Sequence, residues 1–487
     1  MDDAHLSPPY TGSSPSTTTG SNQYELLSPE WWLVRLAQRL ADEQPELARL
    51  ERYYRGDHDM PSMPRGMDRR YLGPYRDIIR QSVANFMRLV ADSTKERLTV
   101  TGFRLSSESD PVADRESWRI WQANDMDAES QLAIGDALSK RRSYVSVWAG
   151  DEYPTIAVED ARQVTVENYP GTRRARAAAL KVWLDDWTGT QRADVYLPDG
   201  VYRFHRRAAE YETPSERWAP LPQDEYLPTP VPGVVPVVPI VNHREVGPWG
   251  QSEFEDVIRI QDRINGTIFS RVLAGWFTAF RQRWATGLEV PTDPVTQQPV
   301  EPFRAAIDRL WIAEDQGTKF GEFGATDLGP YLAAHERDLQ DIAVITRTPR
   351  HYLFQSGQSP SGDALASAEA GLVAKCVATQ VVYGEALEDV MRLARRFAGE
   401  PDAPVDSEIV WADAAYRSEA VRTDAVIKQY QAGLITTTTA QQMLGYTDTE
   451  IARMANERTA EALQRQGIEL AELVTGSLQP PPEPVPA

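Results

Sequence analysis

Pro330-Tyr331-Leu332-Ala333-Ala334-His335 opens a segment that closes, through Thr348-Pro349-Arg350-His351-Tyr352-Leu353-Phe354-Gln355-Ser356-Gly357-Gln358-Ser359-Pro360-Ser361-Gly362, on a long Ala- and Val-rich run ending near Ala398. Pro330 suits a helix start, where its missing N–H costs nothing. Leu332, His335, Leu339, Ile342 and Ile345 follow at three- and four-residue steps, the spacing of one helical face. Thr348 precedes a proline and is pushed out of the α region, so the helix stops there. After Gly362, Ala, Leu, Glu and Val dominate as far as Phe397, and Gly399 is placed to cap the second helix. Two stiff helices joined by a loop with two prolines and two glycines hold that loop out in a defined place.

Working outward, the chain has 487 residues, enough for several substructures around a sizeable core. Thirteen tryptophans and nineteen tyrosines suit buried anchors or subunit interfaces. The net charge of −20 argues against a protein that grips nucleic acid over its whole surface, since that affinity comes from neutralising phosphates. Cys376 is the single cysteine, which excludes an intrachain disulfide and a Cys-based zinc cluster, and it falls in the apolar pattern of the long helix. Met1-Asp2-Asp3 is acidic where a secretory signal would be basic, and no run reaches the length of a membrane span. Val231 to Val241 is broken by Pro232, Pro236 and Pro239 and is expected to be an extended connector.

The N-terminal half reads as α+β. A helix starts at Pro29 with Trp32, Leu33, Leu36 and Leu40 on one face, continued after Pro45 by Leu47, Leu50 and Tyr54 and stopped at Gly56-Asp57. A second helix is expected from about Pro74 through Val90, then a strand at Leu98–Phe103 and a helical pair around Trp118 to Leu138. Tyr144 to Trp148, Ile156 to Val166, Ala179 to Leu184, Ala193 to Leu197 and Val201 to Phe204 read as antiparallel strands. Ser252 and Glu255 have capping-box spacing before a helix of some 29 residues, roughly 43 Å long, reaching about Phe280. Residues 285–326 are irregular, with a short helix near Pro302 to Leu310 and strand-like Trp311-Ile312 and Lys319-Phe320. Ile409-Val410-Trp411 is strand-like, and residues 416–472 are helical, with Thr439 or Thr447 as cap.

Motifs for chemistry are sparse. There is no GxxxxGK[ST], no HExxH and no GxSxG in the chain, and its six histidines are dispersed. Glu159-Asp160 and Asp185-Asp186 are adjacent acids of the kind a metal-dependent nuclease uses, or solvated turn residues.

The order of parts resembles the portal proteins of tailed double-stranded-DNA bacteriophages, of the type found in long-tailed phages of actinobacterial hosts. The stretches that carry the resemblance are Glu46 to Gly56, Gly250 to Asn265, Arg281 to Gly287, Ser359 to Leu372 and Gly433 to Tyr446. It implies a portal fold: an N-terminal tail (1–23), an α/β wing (24–240), a stem helix (241–280), a clip (281–329), a second stem helix (330–347), a tunnel loop (348–362), a long kinked helix with a wing return (363–415), helical crown segments (416–472) and a Pro-rich tail (473–487). It further implies a twelve-subunit ring at one capsid vertex of the virion, synthesised in the host cytoplasm. DNA passes through such a ring without sequence preference during packaging and ejection. Terminase, head–tail connector, major capsid and scaffold proteins are the implied partners, with no membrane, no cofactor, no metal and no catalytic residue. On this reading Arg347, Arg350, His351, Tyr352, Phe354, Gln355 and Gln358 face the channel, and Arg281 and Arg283 mark the stem–clip boundary. For Arg350 an intersubunit salt bridge is the alternative, and for Tyr352 and Phe354 it is core packing under the loop. An acidic channel with few basic contacts would keep DNA mobile. A metal-dependent DNA-processing enzyme and a shorter head–tail adaptor or minor capsid protein are the competing readings.

Overall fold

A computed structural model describes residues 24–59, 72–105, 112–207, 218–221, 233–244, 250–279, 283–287, 317–322, 324, 326–354, 362–400, 404–415, 419–446, 450–451 and 453–459. The chain divides after Ala414 into two units.

The first unit opens with α1 (Pro29–Arg55). Ser28 caps it by accepting the Trp31 N–H at 3.2 Å. Gly56, at φ +88, ends it, and the N–H groups of Gly56 and Asp57 turn back to the carbonyls of Tyr53 and Arg52. Pro45 removes one helical hydrogen bond but does not break the helix. Apolar anchors on both sides of it are buried, from Trp32, Leu33 and Leu36 to Leu47 and Leu50, which offsets that loss. Tyr53, not Tyr54, is the fully buried tyrosine of the last turn, while Tyr54 donates its hydroxyl to Asp92 at 2.7 Å.

The helix expected from Pro74 through Val90 is in fact two, α2 (Leu72–Gln81) and α3 (Phe86–Lys95). Asn85 caps α3 by accepting the Arg88 N–H at 3.2 Å. The flanking N–H groups of Ala84 and Phe86 donate to Asn265 and Gln261, far along the chain. Long-range side-chain acceptors thus replace the missing turn of helix. Then come β1 (Val100–Leu105), two residues beyond the expected start, β2 (Val112–Ala113), α4 (Arg115–Ala123) and α5 (Met126–Lys140). The strands β3 (Arg142–Trp148), β4 (Thr155–Glu159), β5 (Val164–Asn168), β6 (Arg176–Asp185), β7 (Thr190–Leu197), β8 (Gly200–Arg207), β9 (Ala219–Pro220) and β10 (Val237–Val241) follow. A 3₁₀ turn (Glu255–Val257) leads into α6 (Ile258–Ala279). The unit finishes with β11 (Arg283–Thr286), β12 (Lys319–Glu322), α7 (Gly329–Thr346), α8 (Arg350–Leu353), α9 (Gly362–Phe397) and β13 (Ser407–Trp411).

The strands form the antiparallel meander β5-β6-β7-β8-β9, a sheet ordered β10-β3-β4, a sheet ordered β13-β1-β2 and the hairpin β11-β12. The Val231–Val241 stretch is not only a connector, because its last five residues are β10. Pro239 sits opposite Tyr144 on an edge strand, where a missing N–H breaks no inner ladder. β13 returns from beyond α9 to pair Ile409 with Phe103. β3 is buried along almost its whole length because α5 and α9 both pack on it.

The central core runs from Tyr53 and Met87 through Trp121, Ile134, Phe254 and Ile264 to Ile342, Leu372, Tyr383 and Val390. A second cluster packs Trp32, Leu33 and Leu36 of α1 on the meander through Leu180, Val195 and Phe204. The capping box expected at Ser252 is only half made: the Ser252 N–H donates to the Glu255 carboxylate at 3.2 Å, but the Ser252 hydroxyl donates to the Leu138 carbonyl. The first turn is wound as 3₁₀, and α6 has 22 residues rather than 29. In the β11–β12 hairpin, Gly321 lies under Trp284, whose ring fills the space a Cβ would need. The expected helix and strand between Pro302 and Ile312 fall outside the described residues.

The second unit contains α10 (Glu419–Gln431) and α11 (Thr437–Met443). Gly433, at φ +71, closes α10. Thr436, rather than Thr439, caps α11 by accepting the Thr439 N–H at 3.2 Å, and Thr447 lies outside the described residues.

Candidate functional site at the base of the α7–α9 loop

α7 packs along α6, and the pair is pinned by Arg263 to Asp338 at 2.7 Å. Near the end of α7 the Thr346 hydroxyl donates to the Ile342 carbonyl at 2.8 Å and meets the Thr348 hydroxyl at 2.8 Å. Arg347 takes a left-handed conformation, φ +56, which a non-glycine residue adopts only under constraint. Two buried features supply the constraint. Thr348 and Pro349 are tucked into the protein. On the other side, Lys375 of α9 donates to the Thr346 carbonyl at 2.9 Å. A cation there satisfies an orphan carbonyl and complements the negative end of the helix.

Lys375 is itself buried and pairs with Glu253 at 2.8 Å. Glu253 also receives His243 at 3.0 Å, and its backbone N–H donates to Leu138 at 2.9 Å. Burial alone would push the Glu253 carboxyl up, but His243 and Lys375 together hold it down at about 2. One ion pair therefore joins three segments: the start of the α6 region, the end of α7 and the middle of α9. Gly250 makes room for this junction. At φ +59, a Cβ on it would meet the Asn242 carbonyl at 2.5 Å and the Arg141 carbonyl at 2.9 Å.

A second buried anchor holds the loop's entrance. α8 is one helical turn, so the segment expected to be open loop begins as a packed element. Arg97 donates to the Tyr352 hydroxyl at 2.9 Å, to the Ala414 carbonyl at 2.8 Å, and pairs with Glu369 at 3.2 Å. Glu369 also meets His351 at 3.3 Å. Because His351 lies near the loop's start and Glu369 follows its end, their pairing staples the loop's base. Tyr352, Leu353 and Phe354 pack against the central core. Arg350 lies over the Phe354 ring at 5.6 Å. Arg347 and Arg350 are exposed. Gln355, Gln358 and Arg281 lie outside the described residues, while Arg283 sits on β11 in register with Glu322.

Reading the sequence brings out His351 and Tyr352 but not Arg97, Glu253, Glu369 or Lys375, which position them. The signal for Lys375 and Glu369 is that each falls on the inward face of an apolar helix, where an unpaired charge is costly. The paired acids have structural work. Glu159 is buried and takes hydrogen bonds from Ser146 and Lys181, both at 2.7 Å. Asp160 pairs with Lys140 at 2.9 Å. Asp185 organises the β6–β7 turn and takes Arg192 at 3.1 Å. Cys376 is fully buried, and burial pushes its thiol up to about 11.

Residues 35–463 match the family model described as phage portal protein, SPP1 Gp6-like. The chain is 30% identical over 404 residues to the portal protein of Mycobacterium phage D29, covering 79% of this chain and 80% of that one. It is 29% identical over 429 residues to the portal protein of Mycobacterium phage L5, covering 82% and 85%. Among solved structures it is similar to chains in the neck of an empty GTA particle computed with C6 symmetry, at TM-score 0.43 and 11% identity over 80% of this chain and 96% of that one. The neck of a native GTA particle computed with C12 symmetry gives TM-score 0.42 and 12% identity over 79% and 96%. The chain belongs to the SPP1 Gp6-like family of phage portal proteins.

Proposed function

We propose that identical copies of this chain assemble into a ring, of about twelve subunits, around a DNA channel at one capsid vertex. Family membership over residues 35–463 carries this reading. In it α6 and α7 are the stem, the β11–β12 hairpin belongs to the clip that docks head–tail connector proteins, residues 348–362 are the tunnel loop, and α10 and α11 belong to the crown. The loop base described above supports the assignment, since a loop that meets moving DNA needs a rigid mount. The His351–Glu369 staple and the Lys375 cap supply one. In this reading Arg347 and Arg350, exposed beside that mount, are the cations that touch phosphate. With few of them per subunit the DNA stays mobile, because each neutralised phosphate adds affinity that translocation must break. The motor in this reading is a separate terminase.

The test is the mass of the purified chain in solution together with negative-stain images. A closed ring with a central hole is the expected result. A chain that stays monomeric at high concentration, also in the presence of its scaffold protein, overturns the reading.

A further inference from the structure

The β6–β7 hairpin ends in Leu184-Asp185-Asp186-Trp187-Thr188-Gly189. Trp187 is 99% exposed there, and Leu184 and Asp186 are exposed with it. The tip is not loose. The Trp187 and Thr188 N–H groups donate to the Asp185 carboxylate at 3.1 and 3.3 Å, and the Gly189 N–H closes onto the Asp185 carbonyl at 2.8 Å. Trp187 and Leu184 thus put two exposed apolar side chains on a pre-ordered, acidic tip.

The other end of the same strand borders a seat. β6 spans 10 residues, roughly 30 Å, and its first residue lines an open cleft of about 1920 Å3. Val377 and Val381 of α9, at 49% and 65% exposure, give that cleft an apolar wall. Arg173, Arg174 and Arg396 line it too. Arg173 and Arg396 have no carboxylate partner among the described residues, and Arg174 reaches Glu385 only at 3.9 Å, with both side chains exposed. Such a pair is weak and free to exchange.

We propose that the cleft of one subunit receives the Trp187 tip of its neighbour, the indole seating against Val377 and Val381 and Asp186 meeting Arg174. This rests on the ring reading and names the surface that closes the ring. Charge narrows the occupant. The acidic tip is repelled by DNA and by anionic lipid. The cleft lining is charge-mixed, with Glu385, Glu388 and Glu408 beside its arginines, and Asp186 takes Arg174 in place of its weak contact with Glu385. Knob and seat lie at opposite ends of one strand, so each subunit offers both, and head-to-tail contacts of this kind close into rings when the rotation allows.

Five variants test it: Trp187→Ser, Asp186→Arg, Arg174→Glu, the charge swap that combines those two, and Thr188→Cys with Val377→Cys treated with a bis-maleimide. Trp187 touches no core, so its loss does not confound folding, and buried Cys376 stays out of the cross-linking. Trp187→Ser should weaken ring formation by about tenfold or more at fixed concentration. Each charge reversal should weaken it and the swap restore it, and the double cysteine variant should give a ladder of linked subunits. Unchanged rings in Trp187→Ser, or lost rings with no ladder, overturn the docking and leave the ring standing. A wild-type chain that never forms rings overturns both.

Discussion

The meander β5–β9 and the base of the α7–α9 loop are held by opposite means. In the meander, neighbours in sequence pair in space, and Leu180, Val195 and Phe204 bury against Trp32, Leu33 and Leu36 of one helix. At the loop base the decisive contacts are charges taken out of water and joined across the chain, Glu253 to Lys375 and Arg97 to Glu369. Apolar packing tolerates gradual change. A buried ion pair does not, because losing one partner strands the other in a low-dielectric interior. The loop base is therefore the more precise and the more fragile of the two.

The largest expected effect breaks that contrast at its centre. Lys375→Met strands Glu253 and should cost about 3–5 kcal/mol, whereas Lys375→Met with Glu253→Leu should recover much of it. Urea midpoints of the two variants decide this, and equal losses would show that packing, not charge, holds the junction. Next, Gly250→Ala forces a Cβ into two carbonyls at a positive φ and should cost about 2 kcal/mol or more, against a few tenths at an open surface glycine such as Gly324.

Acid should separate the regions by sign. Glu253 is depressed to about 2, so it contributes stability above the ordinary carboxylate range and loses it as pH falls from about 4 toward 2. Asp194 in the meander runs the other way. Burial raises it to about 6 against the pull of Arg203 and Lys181, so its protonated form favours the fold below about 4 and that contribution is lost as pH rises through 6. Stability measured from pH 7 down should rise toward pH 4 and then fall. Asp194→Asn should reduce the rise, to which Asp136 and Glu388, also raised by burial, contribute, and leave the fall. The smallest effect is Tyr352→Phe, which deletes the hydrogen bond from Arg97 and should cost about 1 kcal/mol. Its sharper readout is faster amide exchange across residues 350–354, with the meander unchanged.

The meander was legible because its cues are local. Alternating apolar residues and the Pro198-Asp199-Gly200 turn lie within a few residues of the bonds they specify. The break between α2 and α3 was not, since its acceptors, Gln261 and Asn265, are supplied by another helix far along the chain. The half-made capping box failed for a similar reason: the Ser252 hydroxyl found the Leu138 carbonyl instead.

The sequence by itself determined the order of helices and strands, the stop at Gly56, the interior place of Cys376 and the family resemblance, because periodicity and glycine act over a few residues; α7 ends at Thr346, two residues before the expected stop at Thr348. Only the tertiary structure decided which charges are buried together. Glu253 and Lys375 are 122 residues apart, and nothing near either one says which opposite charge will share its pocket. That pairing is fixed when the segment before α6, the end of α7 and α9 close on one another, and with it the ends of the loop they carry.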